Sequence, residues 1–120
     1  MLQDVTLCLL QRVLDVDDLK QQVISNNIAN TNTPGFTAQR VDFSQALAAI
    51  AQSLNHGDRP EQTRDVIAHA KAKIETATDH NTLDQQMLMM NQTSIEYQTL
   101  IKGVQQKYSL LNIAINGGSQ

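Results

Sequence analysis

Few residues of this 120-residue chain combine types and spacing that could do chemistry. The three histidines, His56, His69 and His80, have no partner four residues away and no neighbouring Cys/Asp set typical of a metal site. The adjacent Asp17 and Asp18 would point to different faces of a helix, so they would not form a carboxylate dyad. We therefore interpret the histidines as solvated side chains and predict no enzyme, no metal site and no cofactor.

The sulfur-containing residues favour packing over reactivity. Cys8 lies in an apolar Leu-Cys-Leu-Leu run, and as the single cysteine it excludes an internal disulfide. The Met-Leu-Met-Met run at 87–90 could suggest a soft-metal site. Met87 and Met90 fall on the apolar face of a predicted helix, however, so the sequence favours core packing for both.

Composition bounds the class of protein. The net charge of −3 is too small to argue for nucleic-acid or membrane binding. Apolar residues make up 41% of the chain but aromatic residues only 3%, which suits packing between helices. No apolar run reaches the roughly 18 residues of a membrane-spanning helix, and acidic residues near the start argue against a cleavable secretory signal. On residues alone we expect one soluble unit, cytoplasmic by default.

The N-terminal segment, residues 1–29, predicts one long amphipathic helix. Its apolar positions recur at steps of three or four: Leu2, Val5, Leu9, Val13, Val16, Leu19 and Val23. The helix is expected to end in a junction loop over 30–43. Asn27 just before this loop, Asn30 at its start and neighbouring threonines offer the backbone hydrogen bonds that compete with the helix. Pro34 and Gly35 favour a turn with positive φ at the glycine, and Phe36 anchors its far end.

The middle of the chain divides into two predicted segments. A short helix over 44–54 follows from the apolar steps Phe43, Leu47, Ile50 and Leu54, with Asp42 or Ser44 as its cap. Residues 55–80 hold many charges and a strand-like alternation of alanines with polar residues. Because alanine is a poor strand former, the type stays ambiguous, and we predict an exposed, partly ordered, partly extended segment there.

The C-terminal segment, residues 81–116, carries the strongest periodicity. Steps of four and three alternate through Leu83, Met87, Met90, Ser94, Tyr97, Ile101, Val104, Tyr108, Leu111 and Ile115. The sequence predicts a coiled-coil helix, capped by Asn81 or by a Thr-x-x-Gln box and ended by Asn-Gly-Gly. We expect a mainly α fold in which this helix pairs, parallel or antiparallel, with the N-terminal helix.

The polar faces of these helices point to assembly. From 81 to 116 the only charges are Asp84, Glu96, Lys102 and Lys107, and the other polar positions are largely amides and hydroxyls. Such groups are buried against a neighbour at a lower desolvation cost than charges. Packing by other subunits on several sides is favoured, while a monomeric helical bundle with a Gln-rich face remains the alternative.

Two sequence signatures carry a family resemblance. Residues 25–36, Ser-Asn-Asn-Ile-Ala-Asn-Thr-Asn-Thr-Pro-Gly-Phe, resemble the N-terminal signature of the bacterial flagellar axial proteins, the rod, hook and hook-associated subunits. The Val-Asp-Phe at 41–43 narrows the resemblance to a proximal rod subunit. Near the other end, Tyr-Gln at 97, Lys-Tyr at 107 and Ala-Ile-Asn-Gly at 114 are similar to further marks of the family.

The resemblance implies a structural subunit of the proximal rod of the flagellar basal body. It implies export by the flagellar type III apparatus without a cleavable signal, a periplasmic location, and terminal helices that are disordered in the free monomer and fold on assembly. Implied partners are further copies of the chain, other rod subunits and the adapter at the membrane-ring junction. Another rod subunit, or a soluble coiled-coil adapter or chaperone, remains the alternative.

Residues expected to serve in assembly lie in both terminal helices and the junction. They are Leu9, Val16, Val23, Asn27, Asn30, Pro34, Gly35, Phe36, Met87, Met90, Tyr97, Ile101, Val104, Tyr108 and Leu111. No direct insertion into a membrane is expected for any of them.

Overall fold

The computed structural model describes residues 4–78 and 82–118 of the chain. Four helices and two short strands follow one another in these residues: α1 Val5–Ala29, β1 Gln39–Asp42, α2 Ser44–Asn55, α3 Pro60–His69, β2 Lys73–Thr76 and α4 Leu83–Gly118. The mainly helical fold with two long terminal helices is the predicted one. Among these residues, no helix is both long and apolar enough to cross a membrane.

Helix α1 begins and ends close to the predicted limits. The carboxylate of Asp4 accepts a hydrogen bond from the Thr6 N–H at 2.9 Å, which satisfies one of the free donors of the first turn. At the other end the chain leaves the helix at Asn30, whose N–H still bonds to the carbonyl of Asn26. The Asn/Thr-rich sequence therefore stops the helix where the side chains begin to compete for backbone groups.

The Pro-Gly pair forms the tight turn that the sequence predicts. The N–H of Phe36 donates to the carbonyl of Thr33 at 3.2 Å, and Gly35 has a φ of 76°. Proline followed by a residue with positive φ is the pattern of a type II turn. The turn reverses the chain after α1 and delivers β1 alongside that helix.

The middle of the chain is more ordered than its composition predicts. Two short helices are present instead of one, because Pro60 starts a second helix, α3, with Gln62 bonding back to the Arg59 N–H. The stretch of alternating alanines is neither all helix nor all strand. Its first residues belong to α3, which ends at His69, and its last residues belong to β2, which begins at Lys73. Strand β2 pairs antiparallel with β1, with Val41 opposite Ile74.

A few buried residues attach the described part of the middle segment, 55–78, to the core, although most of its residues are exposed. The buried members of the core come from α1, α2 and the middle segment: Val16, Phe43, Ile50, Ile67 and Ala70. Ile67 and Ala70 lie within 55–80, as do the buried Thr63 and Ala77. The few apolar residues among the many charged ones in this stretch are enough to complete a small core against α1.

Polar contacts tie the middle helices to one another and to α1. The Ser53 hydroxyl donates its one hydrogen to the Asp58 carboxylate at 2.7 Å, so it accepts the buried 3.0 Å hydrogen bond from the Thr63 hydroxyl. The guanidinium of Arg12 donates to the carbonyls of Ile67 and Ala68 at the end of α3. A cation at a helix C-terminus satisfies the last carbonyls and complements the helix dipole.

Helix α4 crosses α1 antiparallel, which resolves the orientation that the sequence left open. Near the start of α4, Gln86 bonds to Asn27, and farther along Lys107 pairs with Asp4. The predicted Thr-x-x-Gln box caps its start, with 3.2 Å bonds in both directions between Thr82 and Gln85. Asn81 lies outside the described residues.

The predicted end of α4 at Asn116 was wrong, since the helix runs through Gly118.

We expect Gly35→Val to lower the free energy of unfolding by about 1–2 kcal/mol, because a β-branched residue is strained at positive φ. The open space around Gly35 leaves backbone strain as the cause, since an added Cβ would meet nothing within 4 Å. Chemical denaturation at equilibrium measures the loss.

Gly35→Asn is the matched variant, because asparagine tolerates this region of φ better than valine does. It should lose clearly less stability. Equal stabilities for valine, asparagine and glycine at position 35 would show that the turn does not require positive φ.

Candidate assembly interface

Asn27 is the hub at which α1, β1 and α4 meet. Its side-chain oxygen accepts the Gln39 N–H at 3.0 Å, and its amide nitrogen donates to the Gln39 carbonyl at 2.8 Å. The same nitrogen donates to the side-chain oxygen of Gln86 at 3.1 Å. Only 2% of Asn27 and 1% of Gln86 is exposed to solvent. One buried amide therefore fixes three elements through directional bonds.

The bonding pattern at this hub requires an amide. Gln39 presents both a donor and an acceptor, so the partner must accept with one atom and donate with the other. Aspartate would lack the donor, and leucine would leave the Gln39 backbone groups unpaired in a buried site. The sequence predicted Asn27 as a junction residue that could contact another subunit. The structure places its bonds within the chain, and Gln86 was missed because it lies off the predicted apolar seam.

The other polar residues of the junction bond locally. The amide of Asn30 donates to the Asn26 carbonyl at 2.9 Å, and its oxygen accepts from the Thr33 hydroxyl at 3.1 Å. The Thr31 hydroxyl donates to the Ile28 carbonyl at 2.9 Å. These bonds consume the last carbonyls of α1 and make a compact C-terminal cap.

Helix α1 presents two different faces to the rest of the fold. The predicted stripe, including Leu9, Val13 and Val16, packs against the core of the middle helices. The face turned to α4 is a second stripe containing Leu10, Asp17 and Asn27, set beside the first. The prediction that Leu9 and Val16 pair with the C-terminal helix was therefore wrong, because the middle segment covers them first.

The buried face of α4 is rotated relative to the predicted seam. Its most buried members are Gln86 and Thr93, and its half-buried members include Met90, Ser94, Tyr97, Leu100, Ile101, Val104, Lys107 and Leu111. Met87 and Tyr108 belong to the predicted seam yet are about half exposed. This rotation turns the polar residues Gln86 and Thr93 toward α1, and the hydrogen bond from Asn27 to Gln86 holds α4 in that orientation. The periodicity of apolar residues could not reveal a polar anchor.

A second apolar face on α4 points away from α1. Ile95 and Ile113 are each 64% exposed, and they lie eighteen residues apart, which is about five helical turns. Val104, half-buried, is nine residues from each, so it lies on the opposite side. Leu88 and Leu110 are also exposed. The helix therefore has apolar side chains on two sides, and only one side is covered within the chain.

The last part of α4 runs past the described start of α1. Lys107 pairs with Asp4, so residues 109–118 have no described part of α1 beside them. At ~1.5 Å per residue this overhang is about 15 Å long. Ile113 and Ile115 are exposed within it, while the side chain of Tyr108 at its base reaches back to within 3.5 Å of the Gln11 amide.

A buried charge interrupts the seam between α1 and α4. Asp17 is 0% exposed, and neither of its carboxylate oxygens has a hydrogen-bond partner within the described residues. Burial raises the pKa of Asp17 to about 6, and repulsion from the Glu96 carboxylate adds to the increase. The Lys20 ammonium, at 3.8 Å, opposes the shift.

The remaining predicted residues lie apart from the helix seam. Val23 is buried and lines a cleft with Arg40 and Glu96, whereas Pro34 and Gly35 are exposed in the turn and Phe36 is half-buried. The predicted assembly residues therefore fall into two groups, those that are buried within the fold and those that are exposed on its surface. The exposed apolar residues of α4 outside the heptad pattern were not predicted.

We expect Asn27→Ala to lower the free energy of unfolding by about 2–4 kcal/mol, because the backbone groups of Gln39 and the side-chain oxygen of Gln86 would lose their hydrogen bonds to the Asn27 amide in a buried site. Urea denaturation followed by circular dichroism measures this loss.

Asn32→Ala is the control. Asn32 is an exposed residue of the same junction, so its truncation should change stability by less than about 0.5 kcal/mol. A similar loss in both variants would contradict a special role for the Asn27 amide.

Comparison with known proteins agrees with this architecture. A family model described as "Flagella basal body rod protein" matches residues 17–37, which span the end of α1 and the turn. The flagellar basal body rod protein FlgB of Bacillus subtilis is 30% identical over 118 residues, covering 91% of this chain and 92% of that protein. FlgB of Aeromonas hydrophila is 31% identical over 89% of each chain.

A third relative is similar over most of its length. FlgB of Borreliella burgdorferi is 26% identical, with 88% of this chain and 81% of that protein covered. Two full-length relatives at about 30% identity, and the match across the Asn27 hub, identify a structural subunit located in the flagellar basal body, where it assembles with other rod components. The chain belongs to the FlgB family of flagellar basal body rod proteins.

Proposed function

We propose that the chain polymerises through its terminal helices in the proximal part of the rod, where it helps to form the drive shaft and the export channel. The observation that carries this proposal is the second apolar face of α4. A rod subunit has to be covered on several sides, and an apolar face left open in the monomer is typical of a protein-interaction surface.

The polar residues between the apolar ones fit the same role. On α4 the exposed positions around Ile95 are mostly amides and hydroxyls, such as Gln92, Gln98 and Thr99, with Glu96 as the adjoining charge. Burying these groups in an assembly requires only that each finds a hydrogen-bond partner, whereas a buried charge would need an ion pair as well. The face is therefore suited to burial without a large electrostatic cost. Its role is structural, and no catalytic step is assigned to it.

We propose the same partners and route that the family resemblance implies. The chain would leave the cell through the flagellar export apparatus without a cleavable signal peptide and take its place in the periplasmic part of the rod. There it would contact further copies of itself, other rod subunits and the adapter at the membrane-ring junction. A narrow, mostly helical chain, with principal extents of 64 × 29 × 16 Å, suits both passage and side-by-side packing.

The terminal helices would complete their ordering only in the assembly. The stretch 109–118 lies beyond the described start of α1 and exposes the apolar side chains of Leu110, Ile113 and Ile115, so little apolar burial supports its helical state in the monomer. Neighbouring subunits would supply the missing contacts. This ordering would couple folding of the chain ends to growth of the rod.

Limited proteolysis of the dilute monomer should cut first within 109–118, before any cut in α2 or α3. Leu110, Ile113 and Ile115 in that stretch are exposed, so little burial stabilises it, and segments of low local stability open and are cleaved first. Mass spectrometry of the fragments locates the cuts. A monomer that resists cleavage in this stretch as well as it does in α2 would count against ordering on assembly.

Ile95→Asp should abolish swimming motility and incorporation into basal bodies while leaving the monomer folded. Ile95 is exposed and lies on the side of α4 away from α1, so a charge there costs little in the monomer. In an assembled rod the same charge would be buried without a partner. Motility assays and immunoblots of purified basal bodies measure the effect.

Gln52→Asp is the matched control, since it adds the same charge at an exposed position of α2. It should leave motility intact. Normal incorporation of the Ile95→Asp subunit would remove the outer face of α4 from the proposed interface, and absence of the wild-type chain from purified basal bodies would overturn the proposed function.

A further inference from the structure

The seam between α1 and α4 contains a feature that the assembly role does not explain. Asp17 occupies a fully buried position between the two helices, where an apolar residue would stabilise the pair. Among residues 4–78 and 82–118, neither of its oxygens has a hydrogen-bond partner. A buried polar group without partners weakens the structure that buries it, and a buried charge does so more strongly.

Among the described residues, two charged groups act on Asp17 and a third lines the adjoining cleft. Lys20 lies one turn along α1, with its ammonium 3.8 Å from an oxygen of Asp17, which is too long for a hydrogen bond. Glu96 is the facing carboxylate on α4. Arg40 of β1 lines the adjoining cleft together with Lys20 and Glu96, but it is paired with Glu75 at 3.0 Å. The nearest cation therefore compensates Asp17 only in part, while a like charge faces it across the seam.

Protonation would remove this conflict. A neutral Asp17 carboxyl has a proton to donate, and the Glu96 carboxylate is placed to accept it. One proton would then turn two repelling carboxylates into a hydrogen-bonded pair, as happens where two carboxyl groups share a site. Glu96 lines a cleft of about 330 Å³, whereas Asp17 is not among the residues that line it.

We propose that Asp17 is a proton-dependent weak point in the α1–α4 pair, which is most stable when Asp17 is protonated and loosens when Asp17 is ionised. The device keeps α4 able to leave α1 at neutral pH. It is a property of the isolated chain, so it stands or fails independently of the proposed assembly in the rod.

The direction of the pH dependence follows from the two protonation states. The unfolded chain has an ordinary aspartate pKa near 3.9, whereas the folded chain holds its proton up to about pH 6. The unfolded state therefore loses its proton first as the pH rises. Stability falls between about pH 4 and pH 6 and is lowest, with respect to this group, above pH 6.

Thermal melting of the full chain with Asp17→Asn tests the proposal. At pH 7.5 the variant should melt on the order of 5 °C higher than the wild type, since the buried charge is gone. At pH 4 the difference should shrink toward zero, because the wild-type carboxyl is then protonated. Asp18→Asn is the control: it removes the same charge from the neighbouring, exposed residue and should show no such pH-dependent gain.

Hydrogen exchange at pH 7.5 locates the effect. In Asp17→Asn the amides of α4 that face α1, from about 89 to 104, should exchange several-fold more slowly than in the wild type. Amides of α2, which does not contact this seam, should be unchanged. A uniform change over the whole chain, or none in α4, would overturn the assignment.

A direct titration serves if Asp17→Asn fails to fold. The side-chain carboxyl carbon of Asp17 is followed by NMR in the wild-type chain, where a midpoint near pH 6 is expected. Glu96→Gln should lower that midpoint, because the facing charge is removed. A wild-type midpoint near 4, or an equal gain in Asp17→Asn and Asp18→Asn, would refute the proposal.

Discussion

The Asn27 amide is the interaction on which the arrangement of this chain depends. This single side chain forms hydrogen bonds with the backbone N–H and carbonyl of Gln39 and with the side chain of Gln86. It therefore sets both the position of β1 and the rotation of α4. Apolar contacts alone would not fix that rotation, because α4 carries apolar residues on two sides. Directional bonds in a dry environment discriminate between orientations that hydrophobic packing would leave nearly equal.

The rotation decides which surface remains for other molecules. With Gln86 held inward, α4 meets α1 through a mixed polar and apolar face and leaves Ile95 and Ile113 outside. The large apolar side chains of α1 are buried or half-buried, because its predicted stripe packs on the middle helices and a second stripe meets α4. The short helices and the strand pair thus act as a cover for α1. The surface available for assembly is consequently concentrated on α4.

The sequence predicted the elements better than their contacts. Helix limits follow from local signals, such as the Thr82–Gln85 box and the Pro34-Gly35 turn, and these were confirmed. The pairing of α1 with α4 was confirmed, but the predicted stripe of α1 packs on the middle helices instead, because an apolar stripe states that a face is buried and not which element buries it. Helix α3 was missed because its core contribution rests on Thr63 and Ile67, too few residues for a visible period. The burial of Gln86 and Asp17 was not predicted, because polar residues between two helices add nothing to the hydrophobic periodicity.

The α1–α4 pair changes in character along its length. Next to the junction, Asn27 and Gln86 are buried with bonds to each other. Midway, Asp17 is buried with no hydrogen-bond partner among the described residues, and toward the chain ends α4 continues past Val5, where α1 begins. Local stability follows the contacts that a segment makes, so the pair is held firmly at one end and progressively less toward the other. Opening would therefore begin at the chain termini and stop at the Asn27 hub. Such a polarity lets the ends exchange an internal partner for an external one while the turn, the strands and the small core stay in place.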